Sequence, residues 1–221
     1  MNFTRTRLMQ DAFRSHSTRE AVTVWGRLNS LNVQRVLFSA ADLALPVDHI
    51  PAGGQGGSLS TPEFLALNPN ALVPVLKDGP FVLWESNTIV RYLCRAYGHG
   101  AEDARDVALQ ERWMDWYGTE IGSHMTALWG HTKRGKPLPP ASAEHHWRRA
   151  TALWKLLAEP LEAARFLGGR DPGVADYAVG PAVHRWHAMA PHDDIPRSLT
   201  RWYEALSMRP AYQTYVLNAP L

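Results

Sequence analysis

Hydrophobic and polar positions change period along this chain, and the changes mark its elements. Residues 21–25 alternate and are β-branched, which predicts a strand. Val33, Val36, Leu37, Ala40 and Ala41 then recur at helical spacing, predicting a helix to about Ala44. A second strand covers 46–50, and residues 51–60 form a glycine-rich loop. That loop has no following phosphate-loop lysine, so it reads as a mobile lid and not a nucleotide cradle. Thr61 caps a short helix with Pro62 at its first position, and Asn68-Pro69-Asn70 stops it. Residues 73–76 and 81–84 flank Asp78-Gly79 as a hairpin. Residues 86–97 place Ile89, Val90, Leu93 and Cys94 on one helical face, ending at Gly98.

The order βαβ, short helix, ββ, α makes residues 21–98 a small α/β domain. Residues 99–104 read as a linker, and beyond it strand signals are weak. Helices are expected over 105–133, 142–167, 174–189, 195–207 and 210–217, with Pro137-Leu138-Pro139-Pro140 and Gly168-Gly169 as breaks. The class is therefore α/β plus all-α, with 105–221 as a helical second domain. Residues 1–20 carry four arginines and two acids without a secretory apolar core, and read as a flexible extension ahead of the fold.

Composition narrows the function classes. A formal charge of +2 gives no electrostatic case for nucleic acid or a membrane surface. No apolar run approaches the ~18 residues of a membrane span. Cys94 is the only cysteine, which excludes an intrachain disulfide, a CxxC pair and a cysteine-based zinc cluster, and suits a reducing cytoplasm. The ten histidines form no convincing metal set. His145 and His146 are adjacent, so on a helix they point about 100° apart, and His184 with His187 lacks partners of ligand type.

The chemistry gathers at Leu72-Val73-Pro74-Val75-Leu76 and Glu85-Ser86. Pro74 cannot donate to a ladder, and an X-Pro bond tolerates the cis form at about 0.5–1 kcal/mol. A cis Val73–Pro74 bond frees the Val73 main chain to pair with a small peptide as an added strand. Glu85-Ser86 opens a helix whose free N–H groups attract a carboxylate, and Glu85 supplies a negative charge for an ammonium. These groups suit a zwitterionic peptide.

Residues 21–221 resemble the cytosolic glutathione S-transferases, nearest to bacterial theta-like or nu-like serine-type members. Four segments carry the resemblance: 26–36 (GRLNSLNVQRV), 68–76 (NPNALVPVL), 84–93 (WESNTIVRYL) and 174–180 (VADYAVG). The resemblance implies a thioredoxin-like N-terminal domain, a helical C-terminal domain, a homodimer, glutathione as co-substrate and no metal. It places the thiolate donor at the mouth of the first helix. Ser30 is the first choice, Asn32 the second and Asn29 the third; plain helix capping is the alternative for Ser30 and Asn29. A free thiol of this kind has a pKa of about 8.5. A donated hydrogen bond worth roughly 1.5–3 kcal/mol and a helix N-terminus worth roughly 0.3–1 lower it by about one to three units.

The resemblance also assigns Glu85 and Ser86 to the γ-glutamyl group and the Val73 backbone, beside Leu72 and Pro74, to the cysteinyl portion. Many relatives carry a lysine just before the Val-Pro pair, where this chain has Ala71 and Leu72. The glycyl anchor then comes from elsewhere, with Gln55, Lys77 and His49 as candidates, or glutathione binding is weaker. Asp176 is expected to serve folding, with Gly173 where relatives usually carry Ser or Thr. An electrophile pocket is expected from the 105–133 stripe: Trp113, Trp116, Tyr117, Glu120, His124 and His131, with core packing as the alternative. Three functions remain in play: thiolate attack on a small hydrophobic electrophile, glutathione-dependent disulfide reduction, and a non-catalytic ligand-binding or docking module.

Overall fold

The computed structural model describes residues 20–98 and 103–220. The expected extension over 1–20 lies outside the described residues except for Glu20, as do residues 99–102 of the expected linker, whose last two residues, Asp103 and Ala104, cap and begin a helix. Four strands form one mixed sheet in the order β2-β1-β3-β4. They are β1 (Val22–Trp25), β2 (Val47–Ile50), β3 (Val75–Asp78) and β4 (Phe81–Trp84). β1 runs parallel to β2 and antiparallel to β3, and β3 pairs antiparallel with β4. Helices α1 (Leu31–Asp42), α2 (Pro62–Leu67) and α3 (Ser86–Tyr97) complete a thioredoxin-like unit. The rest is helical: α4 (Ala104–Trp116), α5 (Gly122–Lys133), α6 (Pro140–Ala158), α7 (Val174–His187), α8 (Arg197–Ser207) and the turn α9 (Pro210–Tyr212).

Several boundaries move for identifiable reasons. α1 stops at Asp42 and not Ala44. Ala44 adopts φ +58°, and Ala44 N–H and Leu45 N–H donate back to Ala41 and Ala40. This closes the helix as glycine commonly does elsewhere. β3 starts two residues late because Pro74 has no N–H to offer. The expected 105–133 helix is split by a π-helical turn, Tyr117–Ile121. A Cβ on Gly122 would sit 2.8 Å from the Tyr117 carbonyl oxygen, so glycine permits this close approach. α6 ends at Ala158, because Pro160 restricts the residue before it and cannot continue the ladder. Thr61 accepts from Phe64 N–H and caps α2.

α1 packs between the sheet and the helical part. Val33, Val36, Leu37 and Ala40 are buried, and the Phe38 ring meets Tyr177 and Tyr212 edge-on. Asp42 accepts from the Tyr177 hydroxyl (2.8 Å) and pairs with Arg209 Nε (2.6 Å), which ties the end of α1 to the helical part. At the start of α7, buried Asp176 accepts from Leu167 N, Gly168 N, Gly173 N and Trp202 Nε1 at 2.7–2.9 Å. Burial pushes its carboxyl up, and the four donors oppose this. Gly173 has a structural cause: a Cβ there would lie 1.8 Å from Gln110 Oε1. Trp129, Trp154, Trp186 and Trp202 lie in the core.

Candidate functional site

Sheet register brings the predicted residues to one edge. Trp25 at the end of β1 faces Val75 at the start of β3, which faces Trp84 at the end of β4. The segments adjoining these three positions are the Gly26–Ser30 turn, Val73-Pro74 and Glu85-Ser86. The mouths of α1 and α3 therefore open at the same end of the sheet.

Val73–Pro74 is cis. Neither main-chain polar group of Val73 has a hydrogen-bond partner among the described residues. Val73 is half-buried and Pro74 buried. The Leu72 carbonyl is occupied by Asn68 Nδ2 at 2.9 Å, and the Leu72 side chain is exposed. Asn68 is buried and also accepts from Asn70 N–H, which folds the turn leading into the cis bond.

Ser30 is the N-cap of α1 but makes no side-chain capping bond, so simple capping does not account for its hydroxyl. Asn32, one position inside the helix, is exposed, and its Oδ1 accepts from Arg35 Nη1 at 3.1 Å. The Asn29 carbonyl accepts from Arg185 Nη2 of α7 at 2.9 Å, while Asn29 Oδ1 is buried without a partner among the described residues.

Glu85 has φ +74°, a left-handed value that costs a non-glycine residue on the order of 1–3 kcal/mol. Its side chain is exposed and makes no cap bond. Ser86 is buried at the first position of α3. A strained residue without an internal task points to an external one.

The expected glycyl anchors fare unequally. His49 Nε2 is bonded to the Gly26 carbonyl oxygen at 2.7 Å and braces the turn before α1. Lys77 lies opposite Thr23, two pairs along β3 from the cis-proline end. Gln55 is exposed on a tight turn, Gly54–Gly56. Gly53 N–H to Gly57 and Gly56 N–H to Gly53 close that turn, and Ala52 anchors it in a small apolar cluster. A Cβ on Gly53 would meet Arg27 Nη1 at 3.1 Å, so a cation that the sequence reading missed lies against this loop.

The α4–α5 stripe divides. Tyr117 follows the core-packing alternative: it is 6% exposed, sits in the core and carries the Arg35 guanidinium over its ring at 4.6 Å. Trp113 and Trp116 are half-buried and meet edge-on at 5.2 Å. Glu120 is exposed on the π turn. His131 Nδ1 accepts from Leu138 N–H and holds the next loop. His124 Nδ1 lies 2.8 Å from His146 Nδ1, which links α5 to α6. Burial, then His146 and His145, push His124 down. His184 and His187 both stack on Tyr203. No group of metal-ligating geometry occurs among the described residues, and no helix there is long and apolar enough to cross a membrane.

Comparison with known proteins agrees with this geometry. A family model described as "Glutathione S-transferase, N-terminal domain" matches residues 26–102. The chain is 35% identical over 207 residues to glutathione S-transferase GstB of Escherichia coli, covering 89% of this chain and 98% of the relative. It is 28% identical over 177 residues to the E. coli disulfide-bond oxidoreductase YfcG, covering 76% and 81%. Among solved structures, it is 34% identical to a theta class glutathione S-transferase of Xanthomonas axonopodis pv. citri, crystallised with glutathione bound. That match covers 90% of this chain and 98% of the other, with a TM-score of 0.78. Identity and coverage of this extent, on a sheet whose cis-proline and two helix mouths converge, place the chain in the glutathione S-transferase family.

Proposed function

We propose that the chain binds reduced glutathione at the shared end of its sheet, holds the sulfur as thiolate, and directs it at a small hydrophobic electrophile. Residues 21–98 hold glutathione, and 105–221 hold the electrophile. The observation that carries this reading is the convergence of three unspent polar groups: the Ser30 hydroxyl, the Val73 main chain and the Glu85 carboxylate. The Val73 N–H and C=O pair with the cysteinyl unit as an added strand. Ser86 and the α3 N-terminus receive the γ-glutamyl carboxylate, and Glu85 its ammonium. Arg27, beside the 53–57 turn with Gln55, takes the glycyl carboxylate in place of the lysine carried by many relatives. Ser30, helped by Asn32, donates to the sulfur. The electrophile lies toward Trp113, Trp116, Glu120 and His124. The mechanism calls for no metal. A homodimer in a reducing cytoplasm, where glutathione is available, fits the family.

The ionising thiol loses its proton to solvent, and the thiolate forms the new carbon–sulfur bond as the leaving group departs with its electron pair. The protein's part is to lower the thiol pKa by about one to three units. Ser30→Ala and Asn32→Ala, each titrated with bound glutathione by thiolate ultraviolet absorption, test this. At least one substitution should raise the pKa by about one unit, and no change in either refutes the assignment.

A second reading, glutathione-dependent disulfide reduction, draws support from the likeness to YfcG. Cys94 lies within α3, so glutathione and not an enzyme cysteine would be the reductant. Parallel assays with an aromatic halide and a small disulfide separate the two. Binding without turnover in both assays would favour a carrier module.

A further inference from the structure

Arg35 is an anomaly in α1. It is 5% exposed, yet it forms no ion pair with a carboxylate among the described residues. Its guanidinium meets Asn32 Oδ1 at 3.1 Å, Asn87 Oδ1 at 3.5 Å and the face of Tyr117 at 4.6 Å. Its Nε is buried without a hydrogen-bond partner among the described residues. Burial lowers its pKa, because a charge held away from water is disfavoured. Removing a cation from water without a carboxylate partner is costly, so its retention calls for a reason.

The contacts supply one. A guanidinium only donates, so both carboxamides must face it with oxygen. Asn87 is fixed twice, because its Nδ2 also donates to the Met114 carbonyl at 3.3 Å. Asn32 is fixed by its oxygen alone, which leaves its two amide hydrogens directed away from Arg35 on an exposed side chain. Asn32 lies at the mouth of α1, where the sulfur is proposed to sit. Asn87 follows Glu85-Ser86 at the mouth of α3. One buried side chain thus braces both halves of the peptide cradle.

We propose that Arg35 is a positioning residue: it grips Asn32 by the carboxamide oxygen, so that the amide N–H2 is presented to the glutathione sulfur, and it couples that donor to the α3 mouth through Asn87. This deepens the thiolate reading and rests on it. The thiolate brings the negative charge that the site otherwise lacks around Arg35. The sulfur's proton leaves to solvent, and Arg35 remains protonated throughout.

The experiment is a mutant cycle read by the thiol pKa of bound glutathione. R35M should raise that pKa by at least one unit, a tenfold fall in the thiolate-to-thiol ratio. N32A should raise it less, and adding N32A to R35M should change nothing further. S30A should add in full to R35M. An unchanged pKa in R35M, or full additivity of R35M with N32A, overturns the positioning role. No change in N32A while S30A shifts the pKa overturns it too and leaves the thiolate reading standing. No change in both S30A and N32A defeats that reading itself. A purely structural role would lower thermal stability without this selective coupling. If R35M fails to fold, the native chain still decides: with 15N-labelled arginine and asparagine, the Arg35 guanidinium and Asn32 side-chain signals should move together as bound glutathione titrates. They should stay still with S-methylglutathione. Static Arg35 signals overturn the proposal.

Discussion

Replacing Asp176 by asparagine removes one charge and reverses half of a fully used acceptor. Oδ1 accepts from Leu167 N at 2.9 Å and Trp202 Nε1 at 2.7 Å, and Oδ2 accepts from Gly168 N at 2.8 Å and Gly173 N at 2.9 Å. An asparagine keeps one oxygen. Its NH2 must face the other two donors, whichever way the amide turns. Two buried donors are then left without acceptors, at about 1–3 kcal/mol each, so D176N should lose about 2–6 kcal/mol. Total stabilities are commonly about 5–15 kcal/mol. The assay is urea unfolding at fixed protein concentration, followed by tryptophan fluorescence. With a slope of about 1–3 kcal/mol/M, the midpoint should fall by about 1 M or more. Below its unfolding range, D176N should retain native kcat and KM for glutathione, because every acceptor of Asp176 is occupied within the fold. A midpoint shift below about 0.3 M at unchanged slope would refute the bookkeeping of orphaned donors. Lost kcat at full stability would refute the folding role.

Gly173→Ser should destabilise the chain, because the new Cβ falls 1.8 Å from Gln110 Oε1. In a Gln110→Ala background the same serine should instead gain about 0.3 kcal/mol as an N-cap, and thermal melts of the four proteins check the reversal. Glu85→Gln should leave the melting temperature unchanged, since Glu85 makes no capping bond, and should raise the KM for glutathione about 10–100-fold through loss of a charged hydrogen bond. Initial rates at varied glutathione measure this, and an unchanged KM counts against Glu85 as the ammonium's partner. His187 is pushed down to about 4 by burial, then by His192 and His184. The unfolded chain therefore binds the proton first, so this contribution is full above pH about 6.5 and is lost as pH falls toward 4. Between pH 7 and 5 the native chain should lose about 1 kcal/mol more than His187→Phe, discounted for partial exposure. Equal pH slopes in thermal melts would contradict this.

The features legible in the sequence were those with local causes. β1, the Thr61 cap, the hairpin at Asp78-Gly79 and helix 86–97 follow from alternation, capping and turn chemistry. The cis Val73–Pro74 bond follows from the family resemblance, because local chemistry alone only tolerates it. What escaped depended on partners distant in sequence. Gly122 was visible as a glycine, but only the close approach to the Tyr117 carbonyl explains the π turn. Tyr117 shared helical spacing with Trp113 and Glu120, and periodicity could not reveal that Arg35 covers it. Gly173 reads as a side-chain-free cap, and only Gln110, from another helix, explains why no side chain fits there. Arg27, Arg35 and Arg185 carry no local signal that sets them apart from other arginines. Their contacts reach the 53–57 turn, Asn87 and Asn29, across as many as 156 positions.

Proton release on glutathione binding tests the central claim most directly. A thiol with pKa about 8.5 in solution and about 6.5 when bound should release about 0.7 proton per glutathione at pH 7. Calorimetric titration in buffers of differing ionisation enthalpy measures this number, and S-methylglutathione, which has no thiol proton, should release none from the sulfur. Release near 0.7 with glutathione alone is the predicted result. Equal release with both ligands would mean that the sulfur stays protonated, contradicting the account.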